Sequence, residues 1–317
     1  MWHGDVNAQP LVIFGEVLFD CLPDGQTLLG GAPFNVAWHT QALGLNPKLV
    51  SAIGQDAMGE QVRQAMHEWG LAQTSIQTHD DLPTGRVKVS LDNGQPSYDI
   101  EHPVAYDRIE PVDMAELNLD PMHCAHQGHR GILYHGTLAL RDAQTRHALE
   151  RLKASANLAI FVDVNLRAPW YDLALVRGWL KDADWAKLND EEFAELGGAL
   201  AGDLDQLASD PAGAMEAFKQ RFGLQRLIVT LGAKGALAMD ETGRLHRITP
   251  QPLPSDRIRD TIGAGDAFTS VVLLGLIHEW PWVQTLQRAQ NFASQIVTLD
   301  GALSSDPQFY QAWLKAL

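Results

Sequence analysis

Leu11-Val12-Ile13-Phe14-Gly15 is a run of four apolar residues stopped by a glycine, the pattern of a strand buried on both faces. Helical periodicity follows over residues 35–43 and stops at Gly44. A second strand reads over 48–53, and a second helix runs over 59–69 and stops at Gly70. This alternation predicts an α/β fold, a largely parallel central sheet flanked by helices on both faces. The rhythm returns with strands at 131–135, 158–164, 185–188 and 227–231. A strong apolar helix begins near Gly265 and runs through Val271-Val272-Leu273-Leu274. No internal repeat or low-complexity linker divides the chain, so residues 1–317 are read as one α/β domain.

The rhythm breaks at 84–101. Arg86-Val87-Lys88-Val89-Ser90-Leu91 alternates polar and apolar, Asp92-Asn93-Gly94 is a hairpin turn, and alternation resumes over 95–100. Alternation belongs to a sheet with one wet face, not to a buried parallel sheet. A small β-sheet lid, with strands from about 18–29 and 84–106, is the expected use of these segments.

Composition narrows the partners. A net charge of −15 with no Lys/Arg-rich run argues against nucleic acid and against an anionic membrane. It does not argue against phosphorylated ligands, which backbone N–H groups can hold inside an acidic protein. Two cysteines, Cys21 and Cys124, are too few for a disulfide framework. Met1 to Pro10 reads as a frayed polar start without a secretory signal, and no stretch reaches the apolar length of a membrane span. The cytoplasm is the expected location. His123, Cys124, His126 and His129 lack metal-ligand spacing and read as part of a polar connecting loop.

The segment richest in chemistry is Asp260-Thr261-Ile262-Gly263-Ala264-Gly265-Asp266-Ala267-Phe268. Two glycines flank a small residue where a helix begins, so unpaired N–H groups and the helix dipole can meet an anion closely. Asp266 falls in the first turn, where it could accept a proton from a hydroxyl while the amides hold a phosphoryl group. A capped helix with a convenient aspartate is the other reading. Gly30-Gly31-Ala32-Pro33-Phe34-Asn35-Val36-Ala37 pairs two glycines with Asn35 at a second helix start, and by itself also reads as an ordinary cap. No Gly-x4-Gly-Lys-Ser/Thr occurs, which excludes a P-loop kinase.

Together, in this order and more than two hundred residues apart, the two segments resemble the paired signatures of the PfkB, ribokinase-like carbohydrate kinases. The resemblance extends from Leu11 to about Ser305. It implies ATP-dependent phosphorylation of a sugar hydroxyl, with Asp266 as base and Gly263, Ala264 and Gly265 as the anion hole. Asn189-Asp190-Glu191-Glu192 resembles the family's Asn-x-x-Glu, which implies Asn189 near the phosphates and Glu192 organising Mg²⁺ through water. Alone it also reads as the acidic first turn of a helix. Val229-Thr230-Leu231-Gly232-Ala233-Lys234-Gly235 resembles the nucleotide-receiving turn, implying Thr230, Gly232 and Gly235; alone it is a tight turn between strands. Gln290 and Asn291 compete for a position near the adenine, and Asn291 is taken as the contact.

On the sugar side, Gly15-Glu16-Val17-Leu18-Phe19-Asp20 and Asp163-Val164-Asn165-Leu166-Arg167 resemble family segments that imply substrate-binding roles for Asp20 and Arg167, beside Gly31 and Asn35. Seen alone, each reads as a structural ion pair. The family also implies a K⁺ site at Asp260, Ile262, Gly301 and Ser305, and a homodimer joined through the lid. The chain departs from the pattern at Leu299, where many relatives carry Arg, and at Ile262, where a small hydroxyl residue is usual. Fructose is the expected acceptor, with a 2-keto-3-deoxygluconate or other sugar-acid kinase as the alternative. A sugar- or nucleotide-binding regulator without turnover is the non-enzyme alternative.

Overall fold

The computed structural model describes residues 9–92, 95–117, 131–155, 157–197, 207 and 209–316. The histidine-bearing stretch 121–130 and the Asn93-Gly94 tip lie outside the described residues. Strands are β1 (Leu11–Phe14), β2 (Leu18–Cys21), β3 (Thr27–Gly30), β4 (Lys48–Gly54), β5 (Ile76–His79), β6 (Gly85–Asp92) and β7 (Gln95–Ile100), then β8 (Ile132–His135), β9 (Ala159–Asp163), β10 (Trp185–Asn189), β11 (Arg226–Thr230), β12 (Ala236–Met239) and β13 (Leu245–Ile248). Helices are α1 (Ala32–Ala42), α2 (Ala57–Trp69), α3 (Ala143–Ser155), α4 (Leu173–Asp182) and α5 (Asp190–Glu195), then α6 (Pro211–Phe222), α7 (Ala264–Ile277), α8 (Trp282–Ile296) and α9 (Pro307–Lys315).

The larger sheet runs β13-β12-β11-β10-β9-β8-β1-β4-β5 and is parallel from β11 to β5. β1 is completely buried because its alternate residues face two separate apolar layers. Leu11 and Ile13 pack with α1, α7, α8 and α9, whereas Val12 and Phe14 pack with α3, α4 and α6. Strand order reverses at β1: β4 and β5 build out on one side, β8 to β11 on the other. At such a switch point the connections leave in opposite directions and open a crevice beyond the carboxyl ends.

The expected lid is present as a four-stranded sheet, β3-β2-β6-β7. Its apolar face, with Leu18, Val87 and Ile100, joins Tyr106 and Leu138 in a small third cluster. Helix α1 starts three residues before its expected position. Pro33 suits a first helical turn because its missing N–H would be unpaired there anyway. The turn after β11 folds the chain back through a Leu231 N–H to Gly235 carbonyl bond of 2.7 Å. β12 and β13 therefore extend the sheet antiparallel, an extension with no counterpart in the sequence reading.

Asp56 ties the lid to this frame. Its Oδ1 caps α2 by accepting from Gly59 N at 2.8 Å and also accepts from the Thr84 hydroxyl at 2.7 Å. Its Oδ2 accepts from Thr84 N at 2.8 Å, immediately before β6. Asp56→Ala should therefore cost about 2–3 kcal/mol, combining a lost cap with a buried amide left unpaired. Urea denaturation checks this, and a loss below about 0.5 kcal/mol, the ordinary range of surface substitutions, would contradict it.

Candidate active site

Helix α7 begins at a position only glycine can fill. Gly263 has φ of 77°, and a Cβ there would overlap the side chain of Ala302. Among the described residues no side chain caps the helix, so its amino end meets the crevice with the dipole's positive pole uncovered. Asp266 lies in the first turn, partly buried, and its Oδ2 accepts from Asn35 Nδ2 at 2.7 Å. Burial lifts its pKa to about 6. The Asn35 bond opposes that rise, Asp163 adds to it, and Lys187 and Arg167 oppose it.

These groups share a cavity of about 650 Å³ over the carboxyl ends of the sheet. Toward the lid it is bounded by Asp20, Gly31, Asn35 and Arg167, under a roof of Leu18, Val87 and Ile100. Toward β11 it is bounded by Asn189, Glu192 and Thr230, with Ile262, Gly263, Gly265 and Asp266 along the floor. The positions expected near the sugar, most of those expected near the phosphates, and Asp266 thus line one space.

Other expected positions lie outside that lining. Ala264 sits in the first turn between two residues that do line it. Gly232 (φ 55°) and Gly235 (φ 94°) shape the turn after β11, and a Cβ on Gly235 would strike the Ile248 carbonyl. Asn291, on α8, accepts from Gln287 at 3.2 Å. Asp260 accepts from Ile262 N at 2.9 Å. Gly301 (φ 88°) and exposed Ser305 flank the loop whose Ala302 packs on Gly263.

Glu192 is held from two sides. It forms a reciprocal cap with Asn189, each backbone N–H bonding the other's side chain at 2.8 Å. Its Oε1 accepts from Leu166 N, also at 2.8 Å, which fixes the loop carrying Arg167. Burial raises its pKa, opposed by those two amides and by Lys187. Each carboxylate oxygen keeps a further lone pair, so Glu192 fits an outer-sphere contact to a hydrated Mg²⁺.

Glu16 and Lys187 are among the cavity residues to which the sequence reading gave no role. Glu16, 3% exposed, follows β1, and its Oε2 has no hydrogen-bond partner among the described residues. Burial lifts it to about 7, with Asp266 adding to the rise and Arg167 opposing it. Lys187 lies within β10, 6% exposed, with Nζ 2.8 Å from both oxygens of Asp163. A charged residue inside a buried strand is the signal that could have found it.

A profile described as pfkB family carbohydrate kinase matches residues 22–308. The chain belongs to this family. It is 30% identical over 290 residues to fructokinase-2 of Oryza sativa subsp. japonica, covering 85% of this chain and 81% of that one. It is 27% identical over 313 residues to the fructokinase of Escherichia coli, with 93% and 95% covered. Among solved structures, the fructokinase of Xylella fastidiosa with bound ATP aligns at TM-score 0.77 and 22% identity, over 97% of this chain and 98% of that one. Aminoimidazole riboside kinase of Salmonella enterica, complexed with aminoimidazole riboside and ATP analog, aligns at TM-score 0.73 and 22% identity, over 96% and 99%. The ribokinase-like fold of the PfkB kinases is thus shared across the chain.

Glu16 gives a pH test. Its folded pKa, about 7, lies above the ordinary 4.5, so the native state prefers the protonated acid. Its ionisation therefore lowers stability progressively as pH rises from 4.5 to 7, and the cost levels off above that. Glu16→Gln, always neutral, should match wild type near pH 4.5 and exceed it by on the order of 3 kcal/mol at pH 8. Denaturant melts across that range check the sign; a gap that shrinks with rising pH contradicts it.

Proposed function

We propose that this chain transfers the γ-phosphoryl group of ATP to a hydroxyl of fructose, acting as one α/β kinase domain with a lid. The observation that carries this reading is Asp266, a carboxylate at an uncapped helix N-terminus, oriented by Asn35 in a cavity that also holds Asp20. With its pKa about 6, Asp266 is ionised at neutral pH and ready to accept the hydroxyl proton. The amides of Gly263, Ala264 and Gly265 face the charge that builds on the transferring phosphoryl. Asp20 accepts hydrogen bonds from sugar hydroxyls, and the apolar roof excludes water, the competing acceptor. The names of the fructokinase relatives support fructose as the sugar.

Nucleotide contacts fall to Asn189, Thr230, Gly232, Gly235 and Asn291. Mg²⁺, when bound, neutralises phosphate charge, and Glu192 holds its water shell. Asp260, Ser305 and the carbonyls of Ile262 and Gly301 supply oxygens for K⁺ behind the Gly263 turn. The reading includes a cytoplasmic location and a homodimer through the lid sheet, whose edge strands are β3 and β7. Among the described residues no helix is long and apolar enough to cross a membrane. A sugar-acid substrate is the second reading, favoured by Arg167: it is exposed at the cavity and forms no ion pair among the described residues.

An ATP-consumption assay with fructose, 2-keto-3-deoxygluconate, ribose and aminoimidazole riboside tests the reading. Fructose is expected to give the highest kcat/KM; a higher value for the sugar acid selects the second reading, and no turnover with any sugar leaves a regulator. Asp266→Asn should lower kcat about 10²–10⁴-fold with both ligands still binding. An unchanged rate removes Asp266 as base. Asp20→Ala should weaken fructose binding about 10–100-fold by calorimetry and spare ATP; a loss confined to ATP places Asp20 in the wrong subsite.

A further inference from the structure

We propose that Lys187 is a catalytic residue of this kinase, exchanging one of its hydrogen bonds to Asp163 for an oxygen of the transferring phosphoryl group. The inference rests on the kinase reading above and adds a group that neither signature segment contains.

Three observations place the ammonium there. Lys187 lines the cavity that holds Asp266, although it is nearly buried. Its Nζ lies 3.5 Å from the point a Cβ on Gly265 would occupy, directly against the start of α7. Its charge is felt by both Asp266 and Glu192, which it draws toward their ionised forms. One ammonium thus stands among carboxylates from three elements: Asp163 at the end of β9, Glu192 on α5 and Asp266 on α7.

The pairing with Asp163 allows such an exchange. An ammonium has three N–H donors, and Asp163 takes two of them. Asp163 has a second partner in Thr269, whose hydroxyl lies 2.7 Å from Oδ2 and 3.0 Å from the Gly265 carbonyl. If Lys187 turns toward the phosphoryl, Asp163 keeps a bond to α7 and is not left bare. A buried ion pair adds little net stability compared with an apolar pair, so packing alone is a weak reason for a lysine here.

In the transfer, the sugar O–H gives its proton to Asp266 and the sugar oxygen forms a bond to the γ-phosphorus. The bond from that phosphorus to the bridging oxygen breaks, and its electron pair leaves with ADP. Lys187 takes no part in the proton transfer and supplies positive charge to the equatorial oxygens.

The rival explanation is that Lys187 only neutralises Asp163, and the double variant Lys187→Met with Asp163→Asn separates the two. It removes both charges, while the amide oxygen that replaces the carboxylate can still accept from Thr269. The expected result is a Tm near wild type with kcat still reduced about 10²–10³-fold, the usual cost of losing one such donor. A kcat within about threefold of wild type, less than half the energy of a hydrogen bond to a charged group, overturns the proposal. Lys187→Met alone should also move the acid limb of kcat/KM to higher pH. The groups facing Asp266 are Asn35, Glu16, Asp163, Arg167, Tyr134 and Lys187, and Lys187 is one of the two cations among them. An unmoved limb counts against the proposal.

Wild-type protein with ¹⁵N-labelled lysine gives a reading that needs no stable variant, Lys187→Arg serving only for assignment. The Lys187 Nζ resonance should shift when ADP, aluminium fluoride and fructose are added together, and a resonance unmoved by all three overturns the proposal. Absence of wild-type turnover with every sugar defeats the kinase reading itself, which is a different outcome from a fully active double variant.

Discussion

A phosphoryl-transfer site must gather carboxylates around a group that is itself an anion, and this charge crowding governs how the cavity is built. Glu16, Asp20, Asp163, Glu192 and Asp266 all line it, whereas its cations are Lys187 and Arg167. Each carboxylate is managed differently. Asp163 is paired directly with Lys187, Glu192 is held by two backbone amides, and Asp266 receives the Asn35 amide. Glu16 has an oxygen with no hydrogen-bond partner among the described residues, and burial lifts it to about 7. Burial is the main cause of the raised values of both Glu16 and Asp266, and a neighbouring carboxylate adds to each.

That arrangement depends on topology. The reversal of strand order at β1 opens the crevice, and the ends of β1, β9 and β10 deliver Glu16, Asp163 and Asn189 to one place. The same reversal puts α7 and α1 on a common face, so Asn35 can reach Asp266 across 231 positions of sequence. Gly263 then fixes where α7 starts, because the loop bearing Ala302 leaves no room for a side chain.

What could be read from the chain was whatever is set locally. Buried strands show as apolar runs, α2 shows its Gly70 stop, and the lid shows as alternation, because each depends on neighbours within a few residues. The glycine-marked start of α7 was legible for the same reason. β5 was missed because Gln77, Thr78 and His79 at the sheet edge carry no apolar signature. Glu16 and Lys187 were missed because their meaning lies in partners brought from other strands. A lone glutamate or lysine in sequence says nothing about burial.

The lid and Asp266 are linked through one helix. β3 runs directly into the Gly30-Gly31 start of α1, and four residues later the same helix supplies the amide that orients Asp266. Gly31 (φ 102°) packs against the backbone of Glu16, where a Cβ would come within 2.9 Å of its carbonyl oxygen. Asp20, on the neighbouring strand β2, is paired with Leu28 of β3. Asp20 thus sits on the strand pair that leads into the Asn35 helix. Asp266 lies at the start of α7, which is packed against α1 and α8 along its whole apolar length. Asp56 grips Thr84 at the other root of the lid, so the small sheet is tied to the frame at both ends.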